Sequence, residues 1–149
     1  RRKIKMKKNI IFGFILSLLF FGCATEANFS KPYYISNTQV TVGENPGICK
    51  FVSVSFNFYN NSERVIKNIK VSARIYDSEG ESAGLLSNGI KCSIAHSIEP
   101  KEEVPITMSL DEIIGPEIDE SYSVDFLYAT EIEYEDGTSW ADPFGLYCN

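Results

Sequence analysis

The sequence predicts an all-β fold, an antiparallel sandwich of about seven strands that follows an N-terminal signal peptide. Three observations predict it. From Tyr33 onward the apolar residues recur with a period of two, as strands with one buried face require. Clusters of Gly, Pro, Asn, Asp and Ser interrupt that pattern every ~8–14 residues, and no later stretch has the 3.6-residue period of an amphipathic helix.

The first element is the signal peptide. Arg1, Arg2, Lys3, Lys5, Lys7 and Lys8 form a cationic start, and Asn9 to Phe21 follows without a charge. That run is ~13 residues, within the ~7–15 of a translocation segment and short of the ~20 that span a bilayer. Leu16 to Cys23 closes the run with Gly22 and a cysteine. This resembles the site at which bacterial lipoprotein precursors are cleaved and the cysteine lipidated, although Phe20 and Phe21 replace the usual Leu and small residue. The expected organisation is therefore a signal peptide over 1–22, a lipidated Cys23 with its tether over 23–31, and one β domain over 32–149. An ordinary secretory signal cut near Ala24 is the alternative.

Cleavage changes the charge. The chain has 14 Lys plus Arg against 20 Asp plus Glu, net −6; losing residues 1–22 deletes six cations and no acid, leaving 8 against 20, near −12. Such a charge argues against nucleic acid as a partner. The tether from Ala24 to Lys31 reaches at most ~28 Å when extended, so an anchored domain stays close to its membrane.

Each strand then has its own signal. Val40 and Val42 alternate ahead of turn residues Gly43 to Gly47. Val52, Val54, Phe56 and Phe58 share one face while Ser53, Ser55 and Asn57 take the other. Asn60 to Glu63 turns the chain into Ile69, Val71, Ala73 and Ile75, and Asp77 to Gly80 ends that strand with turn chemistry. Strand character weakens over Ala83 to Ile98. Glu99 to Glu102 is a turn, Val104 to Leu110 a short strand with Pro105 at an edge or start, and Asp111 to Glu120 a loop with room for one helical turn. Tyr122 to Tyr134 alternates without a break. Asp136-Gly137 supplies the positive φ of a tight hairpin, and a last strand is expected over Ser139 to Tyr147. Seven strands in this order are immunoglobulin-like.

The strands also carry a family resemblance. Phe56 to Ser62, Ile66 to Val71 and Ile75 to Gly80 resemble the first half of the FxLYD-type domains of bacterial envelope proteins. Ile98-Glu99-Pro100-Lys101-Glu102 is similar to the Leu-x-Pro-Gly-Glu turn of those domains, with Lys101 in place of Gly. Ile132 to Thr138 resembles the end of a related bacterial domain of unknown function. The resemblance implies an immunoglobulin-like fold and no activity.

Candidate chemistry is sparse. With Cys23 lipidated, Cys49, Cys92 and Cys148 remain for an oxidising compartment; Cys49 with Cys148 is the expected pair, because the last strand should end where the second begins. His96 is the only histidine. It is either a general base or metal ligand, or a strand residue with one packed face. No nucleophile elbow, phosphate loop or zinc-ligand spacing is present, so no cofactor is expected. Asp111, Glu112, Glu117, Asp119 and Glu120 are weak calcium candidates; their spacing matches no EF-hand and also fits a solvated loop. The aromatic groups Tyr33, Tyr34 and Trp140, Phe144, Tyr147 are either core or a contact for a glycan or protein. These features suggest a non-enzymatic module anchored to a bacterial cell membrane or outer membrane, facing the periplasm or the surface. It binds a protein, glycan or small ligand, or serves as a structural lipoprotein with no dedicated ligand.

Overall fold

Period-two patterning becomes two antiparallel sheets in the computed structural model, which describes residues 30–45, 49–83, 89–114 and 121–148, with the backbone alone at 44–45 and 49–50. The strands are β1 (Tyr33–Asn45), β2 (Cys49–Asn60), β3 (Ile66–Tyr76), β4 (Ile90–Ile98), β5 (Glu103–Ser109), β6 (Ser123–Tyr134) and β7 (Ser139–Ala141). One helical turn, α1 (Asp111–Ile114), precedes β6. The sheets have the orders β1-β2-β5 and β4-β3-β6-β7. This is the expected immunoglobulin-like sandwich, and its compact unit runs from Lys31 to Asn149.

The core lies between the sheets. Val52, Val54, Phe56 and Phe58 of β2 are buried against Ile69, Val71 and Ile75 of β3 and Ile132 and Tyr134 of β6. Branched and aromatic side chains suit this pleated, one-sided burial. Tyr33 is fully buried: its ring stacks on Phe58 at 5.3 Å, meets Trp140 edge-on at 5.6 Å, and its hydroxyl accepts the Ala129 N–H at 3.0 Å.

Polar side chains fix the connections. Asn60, at the end of β2, is fully buried. Its Nδ2 donates to the carbonyls of Arg64 at 2.8 Å, Ile98 at 3.1 Å and Glu99 at 3.1 Å. Its Oδ1 accepts from the Ser62 N–H and hydroxyl. One side chain thus joins the β2–β3 and β4–β5 connections. Asn61 fastens the start of the domain, with its N–H on the Pro32 carbonyl and its Nδ2 on that of Lys31. The Asp136-Gly137 hairpin forms as expected, with Gly137 at φ 82°. There the Thr138 hydroxyl and N–H hold the Asp136 carboxyl below its usual range.

Two expectations about strands are corrected. Alternation does not run unbroken from Tyr122 to Tyr134: the β3–β6 register shifts three times within this span, with Phe126 at φ 51°. Bulges reset which residues face inward. Ile132, Tyr134 and Ala129 face the core, while Phe126 is half exposed. The last strand also stops at Ala141 instead of continuing to Tyr147. Asp142, buried, takes the N–H groups of Leu146 and Tyr147 on its two carboxylate oxygens and so closes a turn that ends the ladder.

That turn also positions Cys148. Cys148 comes to lie with its Sγ 4.0 Å from the Leu127 carbonyl of β6, and both Cys148 and Cys92 are free thiols. The Cys49 side chain, the other half of the expected Cys49–Cys148 bridge, lies outside the described residues. Burial pushes the Cys148 thiol up from its ordinary pKa.

Candidate functional site

The two sheets present outer faces of opposite character. On β3 and β6 the outward residues form charged cross-strand pairs: Lys67 with Glu133 at 2.9 Å and Lys70 with Glu131 at 2.7 Å. Beyond them, Arg74 lies 5.1 Å from the Phe126 ring centroid. Exposed pairs of this kind contribute ~0–1 kcal/mol each and keep a surface wet and soluble.

The outer face of β1-β2-β5 is built differently. Inward residues of β2 are even-numbered from Val52 to Phe58, so alternation turns Phe51, Ser53, Ser55, Asn57 and Tyr59 outward. Their partners across the ladder are Tyr34 and Glu103 beside Tyr59, Ser36 and Pro105 beside Asn57, and Gln39 and Thr107 beside Ser55. Thr41 and Ser109 then flank Ser53, and Gly43 lies opposite Phe51. A Cβ on Gly43 would run into the Phe51 ring, so this glycine lets the ring lie against the strand. At the other end Tyr34 and Tyr59 stack with centroids 6.1 Å apart and planes 28° apart, and Tyr34 is 52 % exposed.

Glu103, at one corner, is the only charged side chain among these face positions, and the Ser36 hydroxyl donates to its Oε1 at 3.4 Å. Asp111 stands beyond the other end. Its Oδ1 accepts the Val52 N–H at 2.8 Å and its Oδ2 the Ser109 hydroxyl at 2.9 Å. An uncharged face between aromatic ends is thus framed by acids in a chain that carries 20 of them.

The other candidates are placed as follows. Asp111 is occupied with the backbone of β2, and Glu112 is exposed in α1; Glu117, Asp119 and Glu120 lie outside the described residues. Among the described residues no three His, Cys, Asp or Glu side chains are grouped to hold a metal ion. His96 is exposed on β4, and its neighbour Ser97 donates to Glu135 at 3.3 Å. Cys23, with the expected signal peptide and most of the expected tether, lies outside the described residues; among those described no helix is long and apolar enough to cross a membrane.

The aromatic groups divide. Tyr33 is core and its neighbour Tyr34 is surface, as adjacent strand residues must be. Trp140 packs on the core and Tyr147 lies against it at 5.8 Å, whereas Phe144 is exposed. Sequence reasoning found the outward set Ser53, Ser55 and Asn57 but missed the face they belong to. The missing signal was which strands flank β2, since only pairing with β1 and β5 brings Gln39, Thr41 and Thr107 alongside.

No family model matches the chain, and no curated protein matches it. Among solved structures it is similar to a hypothetical protein from Peptoclostridium difficile 630, with 12% identity over 77% of this chain and 88% of that one and a TM-score of 0.49. A Northeast Structural Genomics Consortium target is similar at 15% identity over 73% and 79% of the two chains, with a TM-score of 0.43.

Proposed function

We propose that this chain is a lipid-anchored module of a bacterial envelope that acts by binding, not catalysis, through the outer face of β1-β2-β5. The observation that carries the proposal is the contrast between the two faces. A domain that only spaces or protects a surface gains solubility from charge on every side, as β3 and β6 have it. Here the outer face of one sheet carries a single charged side chain among its described positions, Glu103 at a corner, and offers a stacked tyrosine pair in which Tyr34 is half exposed.

We also propose that the domain is of FxLYD type, and one backbone conformation supports this. Lys101, which stands where those domains have Gly, is at φ 63°, the left-handed conformation that glycine adopts without strain. The anchor rests on Leu16 to Cys23. With three acyl chains at ~0.8 kcal/mol per buried CH₂, attachment through Cys23 is permanent on the scale of the cell.

Metabolic labelling with a palmitate analogue tests the anchor: the wild type incorporates it and partitions with membranes, and Cys23→Ala loses both properties completely. Equal labelling of the two proteins would overturn the proposal.

A further inference from the structure

We infer that the outer face of β1-β2-β5 is a binding platform for a neutral polysaccharide laid along the strands, an inference that rests on the binding-module reading above. Chemistry narrows the occupant. Nucleic acid needs cations to replace its counterions, and the face has none among its described positions. A protein partner needs an apolar, well-packed centre, and serine is depleted from such interfaces; here the centre of the face is Ser53, Ser55 and Asn57. Acidic glycans meet Glu103 and Asp111 at the two ends and a strongly acidic chain around them.

A neutral sugar chain matches what is there. Each hydroxyl or amide side chain both donates and accepts, so Gln39, Thr107 and Asn57 answer the mixed donors and acceptors of sugar hydroxyls. Aromatic rings supply the flat apolar surface on which the C–H face of a pyranose rests, and they stand at both ends of β2, as Tyr59 with Tyr34 and as Phe51. From Phe51 to Tyr59 the strand runs ~26 Å at ~3.3 Å per residue, which suits an extended oligosaccharide better than a single sugar.

The test is affinity electrophoresis and calorimetry of the purified protein with chitohexaose, cellohexaose, mannohexaose and laminarihexaose, with polygalacturonate as the acidic control. At least one neutral chain should bind. Tyr34→Ala should weaken that binding about tenfold or more, the effect of truncating an aromatic anchor. Thr107→Arg, which leaves Tyr34 in place on an exposed edge-strand position, should weaken it similarly, and Lys70→Ala on the opposite sheet should leave it unchanged. Binding to none of the neutral chains, a preference for polygalacturonate, or equal binding by all variants would overturn the polysaccharide. In that event a photo-cross-linking residue at position 107 in native cells separates the two claims. Capture of a protein there would leave the binding module standing with a different occupant; no capture would overturn both.

Discussion

Asn60→Ala is expected to cost the domain about 3–5 kcal/mol and to lower Tm by roughly 10–20 °C. The replacement removes a donor group shared by three carbonyls and an acceptor used twice by Ser62, from a side chain that is itself fully buried. Each buried polar group left without a partner costs about 1–3 kcal/mol. The Arg64 carbonyl keeps the Ser62 hydroxyl and the Glu99 carbonyl keeps the Glu102 N–H, which holds the sum at the lower end of that addition. Native domains hold only about 5–15 kcal/mol in reserve, so the loss is a large share of the whole. Asn60→Asp is expected to be at least as damaging, because a carboxylate would face the same carbonyls with no hydrogen to offer. Ser62→Ala, which removes one donor to Oδ1 and an exposed exchange with the Arg64 backbone, should cost about 1 kcal/mol. Urea unfolding of the three variants measures the gradation; an Asn60→Ala midpoint within 1 kcal/mol of wild type would refute the hub.

Asn60 also shows how far the sequence could be read. Its place in a turn after β2 was legible from Asn60-Asn61-Ser62-Glu63, because turn chemistry is local. Its contacts with Ile98 and Glu99 lie 38 and 39 residues away and leave no local trace. Strand periodicity was legible for the same reason the turn was: burial of one face writes itself into every second residue of Val52 to Phe58. It failed at Phe126, where a bulge changes the inward set without changing composition, and at Asp142, whose carboxylate stops β7 through backbone groups four and five residues on. The candidate face was half legible. That Ser53, Ser55 and Asn57 point together follows from alternation, but the identity of their neighbours is a matter of sheet order, and seven strands admit many orders.

Tyr33 leads to a pH dependence of known sign. Burial raises its phenol pKa well above the ordinary ~10; the hydrogen bond from Ala129 opposes this, and the nearby Cys148, Asp142 and Tyr128 reinforce it. The folded protein therefore keeps a proton that the unfolded chain gives up. The stability that depends on this proton is whole below pH ~10 and is lost as the pH climbs from there toward the folded-state value, with a slope approaching ~1.4 kcal/mol per pH unit for one proton. Tyr33→Phe keeps the stack on Phe58 but leaves the Ala129 N–H unpaired, costing about 1–3 kcal/mol near neutrality. It also removes the titrating group. Denaturant unfolding from pH 7 to pH 11 should accordingly show the wild type ahead by a constant margin up to pH ~9 and the margin shrinking above ~10. Other tyrosines and lysines ionise in both proteins and cancel in the difference. Curves that stay parallel to pH 11 would mean that Tyr33 ionises freely in the fold, which a phenol enclosed by Phe58, Trp140 and the Ala129 amide has no room to do.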